Sequence, residues 1–350
     1  MLFASFLLCV FGGNAFAAEG FQVRYNLAGS IGPEIFSKPS ASGFVGGVVQ
    51  TSIRIDKITG DDGNNLKVDV AGGKVTGTPF TYGASKPVVA AEGSLDTSTF
   101  VIGYIGNESG SGVREIYGFN VGYGHKAQSF KLSGQTPSVN FPNGTPGGTQ
   151  SAVNAGLNTS YQKGIAGMAA AETGSTDGFG DAEFTFGVAS TNGDMRVVTS
   201  VTLITPTGGY NSAAGPDIGY GNFYTVRPSI QATYKTSENF GLGAKFTLGL
   251  NTNNTDNGVK SGDWFAYEAG GSYMTRLGPI GVQLIHIEQY DGDTGNSFGS
   301  SKLQTTNAGV FFTTKIPTLD IIVTGQFAST LDSKNSKSGT FGQLRLSKLF

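Results

Sequence analysis

From about residue 181 onward, apolar and polar residues alternate over segments of ten to fourteen residues. Phe240, Leu242, Ala244, Phe246, Leu248 and Leu250 fall on one face, and Gly241, Gly243, Lys245, Thr247, Gly249 and Asn251 on the other. The same division separates Tyr224, Val226, Ile230 and Tyr234 from Arg227, Gln231 and Lys235, and it recurs over 264–277 and 319–327. A period of two marks β-strands. These segments exceed the roughly five or six residues of a globular strand and match the roughly 9–11 needed to cross a membrane. Short turns at 191–194, 236–239, 277–279 and 316–318 alternate without exception with Gly/Asn/Asp/Ser-rich loops at 207–222, 252–263, 291–304 and 332–339, over nine strands. A soluble sandwich has no reason for such alternation. An outer-membrane barrel does, because its periplasmic turns are short and its external loops long.

Charge placement agrees. Asp181, Glu183, Arg196, Arg227, Lys245, Glu268, Arg276, Lys315, Asp320 and Arg345 all lie opposite the apolar stripe. A lysine or arginine facing lipid at mid-depth costs about 2–4 kcal/mol, so this face is read as the lumen. Trp264, Met274 and Phe311 share it, which makes the expected channel lining mixed rather than purely aqueous. Glu288 and Lys348 break the rule near strand ends, where long side chains can reach the interface.

The N-terminal half alternates less cleanly. Strands are expected over 44–57, 64–76, 79–91, 96–106, 113–125, 127–135 and 153–171, while 136–152 holds too much Pro and Gly to span. The fold class is therefore all-β, a transmembrane antiparallel barrel of 12 strands, with 14 as the alternative; an even count keeps both ends periplasmic. Residues 1–17 read as a signal peptide: an apolar run at 2–11, then Ala15-Phe16-Ala17 as the cleavage pattern. Its n-region lacks Lys and Arg, and it contains Cys9, the one cysteine. Residues 18–43, with Pro33 and Pro39, form a periplasmic or lumenal segment, and 44–350 form the barrel.

Composition narrows the alternatives. Charged residues make up 14% of the chain, against roughly 25% in soluble domains. A net charge of −2 argues against a nucleic-acid partner. With 25 Phe and 13 Tyr the chain is too aromatic to be disordered. A mean hydropathy of −0.07 excludes a helical membrane bundle but suits two opposed faces that average to neutrality.

Several segments resemble the outer-membrane channel family associated with phenol meta-cleavage pathways. Gly178-Phe179-Gly180-Asp181 before a strand is similar to that family's strand-entry signature. Thr205-Pro206-Thr207-Gly208-Gly209-Tyr210 is similar to its loop entry, and Ser261-Gly262-Asp263 followed by Gln289 to Asp293 is similar to its penultimate hairpin region. Gly29-Ser30-Ile31-Gly32-Pro33 fits as well. In this reading Gly178, Gly180, Asp181, Pro206, Gly208, Ser261, Gly262 and Asp263 are structural. The final strand, ending in Phe350, resembles the signal by which the outer-membrane assembly machinery recognises its clients. The resemblance implies a barrel that admits aromatic or other small hydrophobic molecules.

Candidate chemistry is sparse. The two histidines, His125 and His286, sit in no nucleophile motif, and the alternation slips around His286. Neither an enzymatic activity nor a cofactor is expected. Asp291-Gly292-Asp293 and 251–257 offer oxygen donors for Ca²⁺ but lack the EF-hand pattern, and solvated external loops explain them as well. The sequence thus predicts a monomeric channel in a Gram-negative outer membrane, in contact with lipid and lipopolysaccharide, for passive diffusion of small hydrophobic, chiefly aromatic, solutes. A general porin for hydrophilic solutes and a non-transport surface barrel are the alternatives.

Overall fold

The computed structural model describes residues 21, 23–26, 29–31, 36, 42–211, 215–295 and 302–350. The signal-peptide reading and Cys9 lie outside the described residues, as do Gly32, Pro33 and Pro39.

Twelve strands close one antiparallel barrel. They are β1 (Gly43–Ile58), β4 (Val88–Ile105), β5 (Val113–Ser133), β8 (Ala182–Asn192), β9 (Met195–Thr205), β10 (Thr225–Lys235), β11 (Phe240–Asn251), β12 (Trp264–Thr275), β13 (Gly278–Gln289), β14 (Gln304–Ile316), β15 (Ile321–Lys334) and β16 (Lys337–Leu349). Neighbours in sequence pair throughout, and β1 closes the ring against β16 from Val45↔Leu349 to Ile58↔Lys337. Three two-residue strands, β2 (Gly73–Lys74), β3 (Thr81–Tyr82) and β6 (Val139–Asn140), form a small separate sheet. Closure matters in lipid, since an open edge would leave backbone groups with no partner.

Parity decides which way each residue points. Leu242, Val282, Val310 and Phe327 are exposed on the outside, while Thr247, Gln283, Thr313 and Gln326 are buried inside. Phe350 is 73% exposed, with its backbone N–H donated to Phe44 O at 2.8 Å.

β7 (Gly174–Phe179) stands apart from the ring. It pairs with β5 from Gly174↔Gln128 to Phe179↔Tyr123, and β8 continues the pairing from Glu183↔Asn120. β9 ends at Thr205, opposite Ala182. Above that row the outer edge of β7 has no neighbouring strand among the described residues. Gly209 N–H bonds Phe179 O at 3.0 Å, so the 206–224 connection crosses there instead.

Four sequence expectations need correction. Residues 153–171 are helix, part of α1 (Gly147–Ala171). Leu157, Tyr161, Ile165 and Ala169 are its buried residues, spaced by four, a helical stripe that in an Ala/Gly-rich segment also satisfies a loose alternation. The 64–76 and 79–91 segments are not spanning strands. They hold β2, β3, isolated bridges and the start of β4. The expected strands at 113–125 and 127–135 are one 21-residue strand, β5, which Gly124 does not interrupt. The expected loop at 332–339 is the β15–β16 hairpin, with only Asn335 and Ser336 between the strands and Asn335 at φ 46.

The irregularity at His286 has a different origin from a bulge. β13 pairs without a shift from Ile280 to Glu288. Ile285 and Ile287 point inward and are fully buried, while Leu284 is exposed on the outside. Both faces are apolar here because something packs inside.

Candidate functional site

What packs inside is the segment before β1. Val23 and Tyr25 form one buried cluster with Trp264, Ala266, Ile285, Ile287 and Leu303. Ile31 packs on Phe311, with Phe36 beside it. Phe21 packs on Ile58, Leu66, Val89 and Ala91 at another part of the lumen. The described residues of this segment therefore lie inside the barrel as a strap. Gly249 makes room for it indirectly. A Cβ there would stand 1.9 Å from Trp264 Cε2, so only glycine lets the indole lie against β11.

The strap is held by the charges read as channel lining. Glu268 is 1% exposed and accepts four hydrogen bonds from it: Tyr25 Oη at 2.5 Å, Ser30 N at 2.6 Å, Ser30 Oγ at 3.0 Å and Ile31 N at 2.9 Å. Four donors stabilise a buried carboxylate that would otherwise be costly. Lys245, opposite Glu268 in the β11–β12 ladder, donates to Ser30 Oγ at 2.9 Å. Arg345 donates to Gly29 O at 2.8 Å and to Gln326. Arg227 donates to Arg24 O at 2.8 Å and pairs with Glu183. Gly29 adopts φ +79, and a Cβ there would stand 2.9 Å from Ile285 Cγ1 and 3.1 Å from Glu268 Oε2. The backbone turn that presents the Ser30 and Ile31 amides to Glu268 thus requires glycine.

Asp181 ties the strap to the 206–224 connection. It pairs with Arg24 at 2.8 Å, both side chains being almost wholly buried. It also accepts Gly208 N at 2.9 Å and Tyr220 N at 3.3 Å. Arg24 donates further to Phe223 O and to Gly221 O, the latter at 2.9 Å, and lies over the Phe223 ring. The Gly178–Asp181 and Pro206–Tyr210 motifs therefore meet in space. Gly208 is required by close approach, since a Cβ would lie 2.8 Å from Gly219 Cα. Burial pushes the Tyr220 hydroxyl up to about 12. In the third motif, Gly262 N donates to Asp293 at 2.7 Å, Asp263 accepts Asn251 N at 2.7 Å, and Ser261 O accepts Asn251 Nδ2 at 3.2 Å. Asp293 also accepts Gln289 Nε2 at 2.8 Å, so it braces a loop junction.

Six predicted lining charges, Asp181, Glu183, Arg227, Lys245, Glu268 and Arg345, thus form the strap's socket. Trp264 and Phe311 are buried in its apolar contact, not open to a pore. Arg196 and Met274 share the inward parity nearer the short turns. Arg276 and Asp320 lie in those turns, and Lys315 pairs with Asp320 there, so these three sit at the rim rather than in the lumen. His125 points outward, 2.9 Å from Asp177, and His286 points outward, 2.8 Å from Thr306 and stacked on Tyr267 at 4.8 Å.

Beside the strap a cavity of about 600 Å³ remains. It faces β1, β4, β5, β8 and β9. Val49, Ile53, Leu95 and Ile204 supply aliphatic surface, and Thr51, Thr97, Thr99, Thr185, Ser200 and Thr202 supply hydroxyls. Several hydroxyls satisfy one another, as Thr185 and Thr202 do at 2.9 Å. Sequence reasoning missed Arg24, Tyr25, Lys126 and Lys337, which also line it. One signal was present: apolar residues at the inward positions Trp264, Ile285, Ile287 and Phe311.

A closed antiparallel barrel with an apolar outer band and short turns at one end defines an outer-membrane β-barrel of the Gram-negative type. The family model "Putative MetA-pathway of phenol degradation" matches residues 70–346, and the chain belongs to that family. Among curated proteins nothing matches. Among solved structures, the COG4313 outer membrane channel from Pseudomonas putida F1 is similar, with a TM-score of 0.67, 14% identity and coverage of 92% of this chain and 100% of that one. The CymD monoaromatic hydrocarbon channel has a TM-score of 0.36 and 10% identity, covering 88% of each chain. The Pseudomonas putida toluene transporter TodX has a TM-score of 0.34 and 8% identity, covering 90% of this chain and 89% of its own. The first of these bears on the fold; the other two are too distant in three dimensions to do so.

Proposed function

We propose that the protein is an outer-membrane channel for passive diffusion of small hydrophobic, chiefly aromatic, compounds. The observation that carries this reading is the division of the lumen: a strap across the direct bore and, beside it, an aliphatic and hydroxyl-lined cavity of about 600 Å³. That volume suits a small organic molecule. Shallow, mixed contacts favour entry without preventing exit. The family's link to phenol degradation and the channel named among the similar structures support the same reading. The outer edge of β7, along which no strand pairs among the described residues, adds a second support. A wall interruption next to the cavity is where an apolar solute can pass between membrane and lumen. We read the channel as a monomer that is exported by the leader at 1–17 and inserted by the assembly machinery.

Reconstitution in liposomes tests this. Toluene or phenol entry should exceed that of protein-free liposomes, while sugars of similar size enter far more slowly. Faster sugar entry would favour the general porin. No entry of either solute would favour a surface barrel without transport.

A further inference from the structure

Two of the carboxylates that hold the strap are saturated on both oxygens. Glu268 accepts Tyr25 Oη and Ser30 Oγ on Oε1, and the Ser30 and Ile31 amides on Oε2. Asp181 accepts Gly208 N on Oδ1 and takes Tyr220 N and Arg24 on Oδ2. Glu183 differs. Asn120 Nδ2, at 3.3 Å, and Arg227 both bond its Oε2, and its Oε1 meets no donor among the described residues. The Glu183 side chain lines the cavity and is 26% exposed, against 6% for that of Asp181.

The wall beside this carboxylate is bare. Asn120 faces Glu183 across the β5–β8 ladder and Val101 across the β4–β5 ladder. The next inward position on β5 is Gly122, whose carbonyl accepts Gly180 N at 2.8 Å. Gly122 and Gly180 both line the cavity and give it a floor of backbone with no side chain on it. A Cβ at Gly122 would stand 3.1 Å from Thr99 Oγ1. Glycine at such a place lets a flat body approach the sheet closely. Val49, Val101 and Ile204 supply aliphatic contact around the floor. A solute hydroxyl that reaches Glu183 takes over the hydrogen bond of the water it displaces. A solute with no donor excludes that water and leaves the oxygen unanswered, which is the costly case.

We propose that Glu183 is a specificity-determining acceptor: its Oε1 receives the O–H or N–H of a neutral aromatic donor whose ring lies on Gly122 and Gly180 against Val101. The inference rests on the channel reading and sharpens it, from hydrophobic solutes in general to those that carry a hydrogen-bond donor. The same carboxylate thus has two tasks, one oxygen bracing Arg227 and the other reading the solute.

The test compares 4-ethylphenol with 4-ethylanisole, which share a body and differ in whether the oxygen carries a hydrogen or a methyl. Both are measured by equilibrium dialysis on the full-length barrel in liposomes, with uptake by protein-free liposomes subtracted, and then by rate of entry. The phenol should bind at least about fivefold more tightly, against the order of hydrophobicity. In Glu183→Gln, where an amide can face Arg227 with its oxygen and the cavity with its nitrogen, the ratio of phenol to anisole binding should fall toward one. If Glu183 only braced Arg227, the two solutes would lose affinity together and the ratio would hold, which overturns the proposal. Equal or better binding of the anisole by the wild type overturns it too. Gly122→Val puts a side chain on the floor and should weaken the phenol; undiminished binding overturns the placement of the ring, and this variant decides if Glu183→Gln does not fold. Entry of both solutes without preference refutes the acceptor site and leaves the channel standing. Entry of neither refutes the channel as well.

Discussion

The two halves of the barrel wall obey one rule outside and two rules inside. Along β10 to β15 the outward positions are Ile230, Leu242, Phe246, Tyr267, Val282 and Val310, and along β4, β5 and β8 they are Phe100, Ile102, Tyr117, Phe119 and Phe186. Lipid imposes the same requirement on both. The inward positions differ. Where the strap lies, they are Trp264, Ala266, Ile285 and Ile287, dry and packed. Where the cavity lies, they are Thr97, Thr99, Thr185, Ser200 and Thr202. The lining of a barrel is thus set by what it contacts. A segment of the chain demands apolar shape complementarity and a few saturated charges, and a transient guest demands surface that is neither.

Breaking the strap side should cost most. Glu268→Ala leaves Tyr25 Oη and the Ser30 and Ile31 amides buried without their acceptor, a loss of about 3–5 kcal/mol in strap docking. The barrel should still run as a folded, heat-modifiable species, while single-channel conductance rises and the N-terminal segment becomes protease-sensitive. Ile287→Ala should cost about 2–5 kcal/mol by opening a cavity in the strap contact, visible as lowered thermal stability with a smaller rise in conductance. Gly29→Val should cost about 1–3 kcal/mol, because the backbone at φ +79 rejects a branched side chain, and hydrogen exchange at Ser30 and Ile31 should report it.

The cavity side should tolerate change. Thr185→Val/Thr202→Val replaces both partners of one hydrogen bond with isosteric apolar groups, so stability should move by less than about 1 kcal/mol. Entry of toluene should rise relative to that of phenol. A large stability loss here would erase the contrast between the two halves. The smallest effect concerns pH. Glu172 and Asp217 have folded values raised by burial, so the native protein holds more protons than the unfolded chain between the ordinary carboxylate value, about 4, and those raised values. Docking of 215–219 should be strongest at the acidic end of that window and weaken as pH rises through it. Proteolysis of the 206–224 connection should accordingly speed up with rising pH.

The wall was legible because lipid makes period two obligatory. Strands β8 to β16 follow from parity and loop length, apart from the β15–β16 hairpin, where polar residues such as Ser333 and Ser338 look like a loop but pair and are buried. The helix at 147–171 was hidden because a four-residue spacing of single apolar residues among Ala and Gly also satisfies a loose alternation. The socket was half legible. Parity placed Asp181, Glu268 and Arg345 inside, but no local pattern says which segment occupies a lumen. Only the apolar intrusion at Ile285 and Ile287 hinted that one does.

One consequence concerns the order of assembly. Glu268 grips the strap from β12, in the middle of the sheet, whereas Arg345 grips Gly29 from β16, the strand that meets β1 at the seam. A half-built sheet already offers the first grip but cannot offer the second until the chain's last strand arrives. The strap therefore gains its full set of bonds only as the ring shuts, so lumen filling and seam closure are coupled steps. Pulsed hydrogen exchange during insertion should protect the Ser30 and Ile31 amides together with the β1–β16 ladder, not after it.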